Sequence, residues 1–349
     1  MESCKLKGYI GTYTKENSEG IYTFLLNTET GNITDIKLAA KLDNPTYLAI
    51  SSDNQFLYSV IKEGETGGVT AFQILNDELK MINKQVTLGA SPCHISIDSK
   101  NTNVFSANYH KGTVESFLVD NKDRSLLPAS SVINHISHGE DKIPHTHYAA
   151  PTPDEKYIIT VDLGLDQLII YEVTNGILQE KSNFSVSPGS GPRHLVFHPN
   201  GKFVYVMTEF SSEILVFKYE PDTANLAHVQ TISTIPKAFQ ENNQGSAVHI
   251  SSDGRYIYAG NRGHDSIAVF SVNPESGELK FIEHTSTQGN WPRDFALDPT
   301  EKFIVASNQN SNTLVLFSRD KLTGKLTLIQ SDISVPEPVC VKFLNLLTL

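Results

Sequence analysis

The sequence predicts an all-β fold, a seven-bladed β-propeller with four antiparallel strands in each blade. Three observations predict it. A β-branched run that ends in an aromatic residue recurs seven times, at intervals of 45 to 54 residues. A second pattern, strand–polar turn–strand, lies between these copies, and no stretch of about ten residues or more has a helical period. Two β-sandwiches would not explain one period along the whole chain, so we expect residues 1–349 to form a single domain.

The aromatic segment supplies the third strand of each predicted blade. Its copies include GIYTF, TVESF and LVLF, and their aromatic residues are Phe24, Phe72, Phe117, Tyr171, Phe217, Phe270 and Phe317. β-Branched and aromatic side chains fit the pleated, half-buried surface of a sheet. Each copy is followed by a turn and another apolar stretch, as in NPESGELKFI, which we interpret as the fourth strand.

The second pattern supplies the first and second strands of each blade. Two examples are GPRHLVFHPNGKFVYVM and SAVHISSDGRYIYAG. The segments KFVYVM and RYIYAG alternate with the period of two that is typical of strands, and HPNG and SDG carry turn-forming residues. The first strand of a propeller blade is the innermost one, so its first residues should line the mouth of the central channel.

The two ends of the chain predict how the propeller closes. The C-terminal PVCVKFL resembles a first strand with no second strand after it, and the N-terminal KGYIGTY resembles a second strand with no first strand before it. We therefore expect Val339–Phe343 and Lys7–Thr12 to share one blade. This pairing would latch the ring and remove two exposed sheet edges.

Composition excludes several classes of protein. The formal net charge of −11 argues against nucleic-acid binding, which needs basic surface, but allows a small anionic ligand held by a few arginines. No apolar run approaches the ~20 residues of a membrane span, and the N-terminus lacks the apolar stretch of a secretory signal. The cysteines, Cys4, Cys93 and Cys340, form no disulfide framework, which favours the cytoplasm. The sequence leaves a monomer and a dimer equally open.

The repeat also predicts where a functional site lies. Counting from the turn in each repeat aligns the starts of the innermost strands and the ends of the second strands, which antiparallel pairing brings to one mouth of the channel. Both columns are unusually polar. The first contains His147, Arg193 and Arg293, and the second contains Glu209 and Arg262. We expect these five side chains to surround one pocket, the usual form of a ligand site.

These residue types favour activation of water, although a structural interpretation stays open. A histidine and a carboxylate suit a general base, and arginines can stabilise an oxyanion or hold an anionic group. Polar strand ends can equally be solvated or cap the sheet, and Glu209 can form a structural salt bridge with Arg193 or Arg262. His249 is a further candidate because it lies beside Arg262 on the same blade.

A histidine-rich segment contains ligand types that are found at metal sites. It reads His135-x2-His138-x6-His145-x-His147. The acidic partner and the spacing typical of zinc hydrolases are missing. We therefore expect neither a metal nor a cofactor.

Several motifs are similar to those of a known family. GYIGTYT, PRH-x-x-FHPNGK, SDGRYIYAGNRG and PRDFALDP occur in order, and the similarity extends over essentially the whole chain. They resemble the propeller-type bacterial 6-phosphogluconolactonases of the lactonase family, which is related to the fungal muconate-lactonizing propeller cyclases. By motif, the resemblance implies catalytic roles for His147, Glu209, Arg193 and Arg262.

The resemblance implies an enzyme that hydrolyses a small anionic sugar lactone. The expected substrate is 6-phosphogluconolactone, in the pentose phosphate pathway. Water would attack the lactone carbonyl, and the expected substrate-binding residues are Arg293, His249, His145 and Asn308. Two alternatives remain: a non-catalytic propeller that binds a ligand or a protein, and a lactonizing cyclase that acts on a related carboxylate.

Overall fold

The computed structural model describes residues 5–76, 78–137 and 142–346. Within these ranges the chain forms 28 strands and no helix. The strands build seven antiparallel sheets of four strands each, which confirms the predicted number and composition of the blades. Cys4 and His138, which entered the sequence predictions, lie outside the described residues.

The first half of the chain contains fifteen strands. They are β1 (Lys5–Thr12), β2 (Gly20–Asn27), β3 (Asn32–Lys41), β4 (Leu48–Ile50), β5 (Phe56–Glu63), β6 (Thr66–Leu75), β7 (Glu78–Leu88), β8 (His94–Ile97), β9 (Asn103–Asn108), β10 (Thr113–Val119), β11 (Leu126–Asn134), β12 (Thr146–Pro151), β13 (Tyr157–Asp162), β14 (Gln167–Thr174) and β15 (Ile177–Ser185).

The second half contains the other thirteen. They are β16 (Pro192–Phe197), β17 (Phe203–Thr208), β18 (Glu213–Glu220), β19 (Asn225–Ser233), β20 (Gln244–Ile250), β21 (Tyr256–Arg262), β22 (Ser266–Val272), β23 (Leu279–Ser286), β24 (Pro292–Leu297), β25 (Phe303–Asn308), β26 (Thr313–Arg319), β27 (Leu326–Ser334) and β28 (Pro338–Phe343).

The chain divides into two compact units. One unit contains Leu38–Arg193 together with Glu19–Ile21, and the other contains the N-terminal segment to Ser18, Tyr22–Lys37 and His194–Leu346. The sheets β4–β7, β8–β11 and β12–β15 lie in the unit that contains Leu38–Arg193, which we call the first unit. The other four sheets lie mostly in the second unit, although Arg193, the second residue of β16, belongs to the first. The single domain over residues 1–349 stays a prediction.

The aromatic column occupies the third strand of every sheet. Its seven members lie on β2, β6, β10, β14, β18, β22 and β26, and the most exposed of them, Phe217, is only 6% exposed. Burying one such side chain contributes roughly 1.5–3 kcal/mol. The periodic signal in the sequence is therefore the repeated core of the blades.

Neighbouring blades share apolar clusters within each unit. In the first unit, Tyr58 and Val69 of one blade pack in a cluster with Val104 and Phe117 of the next. In the second unit, β16–β19 and β20–β23 share a cluster that includes Tyr205 and Phe270. Face-to-face burial of this kind explains why the second and third strands have almost no exposed side chains.

The closing blade forms as the two chain ends predict. β1 lies between β28 and β2, with Gly8 opposite Phe343 and Ile10 opposite Val341. The strands are slightly longer than expected, since β1 begins at Lys5 and β28 at Pro338. The first and last strands of the chain thus share a sheet, as predicted.

Candidate active site

Two of the predicted catalytic residues contact each other in the second unit. Arg262 is the last residue of β21 and Glu209 follows β17, and Arg262 Nη2 lies 2.8 Å from Glu209 Oε2. The same nitrogen donates to Gly245 O at 2.7 Å. A Cβ atom at Gly245 would lie 2.1 Å from Thr208 O, so glycine permits the close approach of these strands. The side chain of Arg262 is 3% exposed and that of Glu209 is 13% exposed. The guanidinium of Arg262 is therefore nearly buried and held in one orientation.

An indole ring flanks this ion pair. The ring of Trp291 lies 5.5 Å from Arg262 Cζ, within the range of a cation–π interaction. Trp291 immediately precedes β24 and is partly exposed. The charged group therefore has an aromatic neighbour as well as a carboxylate.

The predicted anion-binding arginine lies next to a tyrosine. Arg293 is partly exposed, and its Cζ lies 5.5 Å from the centre of the Tyr13 ring. Lys15 Nζ lies 4.0 Å from the centre of the same ring. The carboxylate of Glu337 accepts hydrogen bonds from the backbone N–H groups of Lys15 and Glu16, at 3.2 and 2.9 Å, and so fixes this loop. Two cations on one aromatic ring suit an anionic group of a ligand.

His249 faces a buried carboxylate. Its Nε2 lies 3.6 Å from Asp294 Oδ1, and its ring packs edge-on against Phe295. Burial raises the pKa of Asp294, but His249, Lys342 and the Val341 N–H outweigh burial and hold that pKa below its usual value. Asp294 thus stays ionised and gives His249 an electrostatic partner.

The histidines His145 and His147 lie at the start of β12 in the first unit. The ring of His145 stacks on Tyr109 at 4.1 Å, and His145 Nδ1 lies 2.9 Å from Tyr109 O. The ring of His147 meets Tyr109 edge-on at 6.0 Å. His147 is 4% exposed, and Arg193, the second residue of β16, is 2% exposed. The strand start is therefore held rigidly against an aromatic ring.

A buried polar network supports this strand start. Asp162 Oδ1 accepts the backbone N–H of His145 at 2.8 Å, and its Oδ2 lies 2.7 Å from His135 Nδ1. His135 Nε2 lies 3.0 Å from the Tyr171 hydroxyl, which stays protonated because burial raises the pKa of Tyr171. Burial raises the pKa of Asp162, but these hydrogen bonds outweigh it and lower that pKa below its usual value. The network positions His147 through its neighbours.

Replacing Asp162 with asparagine is expected to lower the free energy of unfolding by roughly 2–4 kcal/mol, because a buried charged acceptor is lost. Folding lowers the pKa of Asp162 below the usual aspartate value of 3.8. The ionised carboxylate therefore contributes its full stabilisation above pH 3.8, and this stabilisation is lost as the pH falls through the pKa of the folded state. Urea unfolding at pH 7 and below pH 3 measures the difference. The control is Asp123→Asn, at an exposed position. If Asp162→Asn changes the free energy of unfolding at pH 7 as little as Asp123→Asn does, the prediction is wrong.

Three asparagines in the polar columns have structural roles. Asn108 and Asn308 end second strands, Asn261 is the last residue but one of β21, and all three are almost completely buried. Each donates through Nδ2, at 2.8 to 2.9 Å, to a carbonyl of the loop before the innermost strand of its own blade. One such bond contributes about 0.5–1.5 kcal/mol. Capping thus accounts for these positions, and a contact of Asn308 with substrate stays a prediction.

Two histidines of the histidine-rich segment, His135 and His145, contact other protein groups. His135 belongs to the network with Asp162, and His145 bonds to the backbone of Tyr109. Across the described residues, no group of three or more histidine, cysteine, aspartate or glutamate side chains is arranged to hold a metal ion.

The structure brings together Glu209 with Arg262, Arg293 with Tyr13, His249 with Asp294, and both His145 and His147 with Tyr109. The pocket predicted for all five column residues stays a prediction. Sequence reasoning missed Tyr13, Trp291 and the role of Asp294. Only Trp291 had a signal, since it is the single tryptophan of the chain and precedes the PRDFALDP motif.

Comparison with known proteins identifies relatives along the full chain. The 6-phosphogluconolactonase of Bacillus subtilis (strain 168) is 52% identical over 346 residues, which cover 98% of this chain and 99% of that protein. A crystal structure of a Lactobacillus plantarum protein is 40% identical, with a TM-score of 0.94 and coverage of 98% and 100%. The periplasmic gluconolactonase of Pseudomonas aeruginosa is 31% identical, with a TM-score of 0.91 and coverage of 97% and 99%.

These comparisons also test the predicted compartment and class. Because one neighbour is named periplasmic, the cytoplasmic location stays a prediction. In the part of the chain that the structure describes, no helix is long and apolar enough to cross a membrane. The family profile "Lactonase, 7-bladed beta-propeller" matches residues 7–343, which confirms the predicted fold and enzyme class. The chain belongs to the lactonase family of seven-bladed β-propellers.

Proposed function

We propose that the chain hydrolyses a sugar lactone, with 6-phosphogluconolactone as the substrate and 6-phosphogluconate as the product. The observation that carries the proposal is the contact of Glu209 with Arg262, two charged residues that belong to separate repeats of the sequence. The names of the Bacillus subtilis and Pseudomonas aeruginosa relatives support a sugar lactone as the substrate class.

The proposed reaction begins with general-base catalysis. His147 accepts a proton from water while the water oxygen bonds to the lactone carbonyl carbon. The carbonyl oxygen becomes an oxyanion, which Arg193 and Arg262 stabilise with N–H donors. Glu209 orients Arg262 from 2.8 Å. An arginine can bond a carboxylate and an oxyanion together because it carries five N–H donors.

The ring then opens. The tetrahedral intermediate collapses, the bond between the carbonyl carbon and the ring oxygen breaks, and the imidazolium of His147 returns its proton to the leaving alkoxide. The product is an open-chain hydroxy acid, and His147 is again neutral. In this scheme arginines supply the positive charge that stabilises the transition state.

A hydrolysis assay tests the proposal. Purified protein is given gluconolactone with and without the 6-phosphate, and acid release is corrected for spontaneous hydrolysis. We expect release above the uncatalysed rate, fastest with the phosphorylated lactone. Rates equal to the uncatalysed reaction on every lactone would favour a ligand-binding propeller, and ring closure of an unsaturated carboxylate alone would favour a cyclase.

Replacing Arg293 with alanine is expected to raise KM for the phosphorylated lactone roughly tenfold or more, because a charge-assisted contact is lost. A contact to a remote group is felt equally in the ground and transition states, so kcat should change little. The unphosphorylated lactone should be hardly affected. Arg255→Ala is the control, since Arg255 lies at the same 5.5 Å from a tyrosine ring but on an exposed turn. Equal effects on both lactones would contradict a phosphate contact.

A further inference from the structure

Trp291 has an uncommon backbone conformation. Its φ is 65°, in the left-handed region that bulky residues rarely adopt. The residue before the corresponding proline also has a positive φ in three other blades, at Asn44, Gly191 and Glu337, so the conformation belongs to the turn that leads into an innermost strand. The single tryptophan of the chain is therefore held in a conformation that glycine would adopt more easily.

Hydrogen bonds impose this conformation from both sides. The Trp291 N–H donates to Asp265 Oδ1 at 2.9 Å, and the Trp291 carbonyl accepts the Gln309 N–H at 3.1 Å. Asp265 also accepts the Gly263 N–H at 3.1 Å and the Asn290 amide at 2.8 Å. Asp265 follows Arg262 by three residues, so the carboxylate that holds the Trp291 backbone lies in the loop directly after Arg262.

The indole ring is left beside charged groups rather than in an apolar core. It lies 5.5 Å from Arg262 Cζ, and Arg262 in turn is paired with Glu209. The ring is only partly buried. A large aromatic side chain that is partly exposed next to a charged pair offers a flat apolar surface to a ligand.

We propose that Trp291 is the platform on which the substrate ring stacks, and that it selects cyclic sugar substrates over open-chain ones; this inference rests on the proposed function. One face of a pyranose or lactone ring presents C–H groups, which suit the flat indole. The hydroxyl and ester groups at the ring edge would then lie toward Arg262 and Glu209. The open-chain product lacks that flat face, so the same platform favours its release.

Binding of substrate-like sugars tests the platform without hydrolysis. The probes are glucose 6-phosphate, which keeps the ring but lacks the ester, and its open-chain counterpart glucitol 6-phosphate, each also tested without the phosphate. Because the chain has one tryptophan, fluorescence excited at a wavelength that tyrosine does not absorb reports on Trp291 alone. We expect saturable quenching with the ring sugar and about tenfold weaker binding of the open-chain sugar.

Variants separate a platform from a residue that only positions Arg262. Calorimetry with glucose 6-phosphate should show nearly unchanged affinity for Trp291→Phe and about tenfold weaker affinity for Trp291→Leu. Trp291→Gly should bind as weakly as Trp291→Leu yet melt at a higher temperature, because the backbone strain is relieved. Phe281→Ala, an exposed aromatic residue of β23, is the control and should bind like the wild type.

Each outcome decides one of the two proposals. Equal affinity of ring and open-chain sugars, or unchanged affinity in Trp291→Leu with a lower kcat, would overturn the platform and leave Trp291 as a positioning residue. If the ring sugar quenches and Trp291→Leu weakens binding while no lactone is hydrolysed, the platform stands and the hydrolase proposal fails. If the lactone is hydrolysed and KM is the same in Trp291→Leu as in the wild type, the platform proposal fails and the hydrolase proposal stands.

Discussion

A chain that ends at Glu337 is expected to lose most of its stability. The truncation removes β28, whose side chains Val339, Cys340 and Val341 are at most 2% exposed. Their burial contributes roughly 5 kcal/mol or more in total, against the 5–15 kcal/mol that stabilises a typical folded protein. The truncation also exposes the edge of β1 and leaves Asp294 Oδ2 without the Val341 N–H, which donates to it at 2.9 Å.

Thermal unfolding followed by circular dichroism measures this loss. The matched control ends at Asn345, which retains β28 and the hydrogen bond from the Leu344 N–H to Lys7 O. We expect the control to melt like the full chain and the shorter chain to melt at least ten degrees lower or to fail to fold. A melting temperature that is unchanged without β28 would contradict a latch made by this strand.

The fold could be predicted because its signal repeats. The aromatic residue of the third strand, from Phe24 to Phe317, is selected seven times by the same requirement, burial in the core. The pairing of β1 with β28 follows because each chain end lacks the strand that the other supplies. Strand bounds were less predictable. Lys5 and Leu6 belong to β1 because they pair with Asn27 and Leu26, and no apolar pattern in the sequence predicts this pairing.

The site could be predicted only in part, because a polar column has two physical causes. The amide of Asn308 caps a loop carbonyl, whereas Arg262, which aligns with the next residue of the repeat, pairs with a carboxylate. When the last residues of each second strand are taken as one column, residue type cannot separate capping from chemistry. Charge is the better discriminator, since a buried charge needs a partner whereas a buried amide needs only a carbonyl.

Residues that repeats do not share were not predicted at all. Trp291 and Tyr13 lie in loops, and the tryptophan is not repeated at the matching positions of other blades. The Trp291 N–H donates to the Asp265 carboxylate, and the Tyr13 N–H donates to the Glu337 carbonyl, so both positions depend on long-range contacts. Loops carry function on a rigid scaffold, and their conformation is set by tertiary hydrogen bonds rather than by local pattern. The structure was therefore necessary to find them.

Replacing His147 with alanine is expected to lower kcat for lactone hydrolysis about 10²–10⁴-fold, the usual contribution of a general base. KM should change much less, because the proton transfer occurs only in the transition state. The fold should survive, since Asp162 still accepts the His145 N–H and the stacked pair of His145 and Tyr109 is retained. Initial rates of acid release, corrected for spontaneous hydrolysis, measure the loss.

The pH dependence distinguishes a base from a residue that only packs. A base must be neutral to accept a proton, so the wild-type rate should fall as pH drops through the range in which histidine is protonated. That fall should be absent from the residual activity of His147→Ala. His228→Ala is the control, because His228 lies on the outermost strand β19 and its Nε2 lies 2.9 Å from Thr231 Oγ1 of the same strand. Full activity in His147→Ala would assign the base to another group, whereas wild-type and variant rates equal to the uncatalysed one would exclude hydrolysis of the lactones tested.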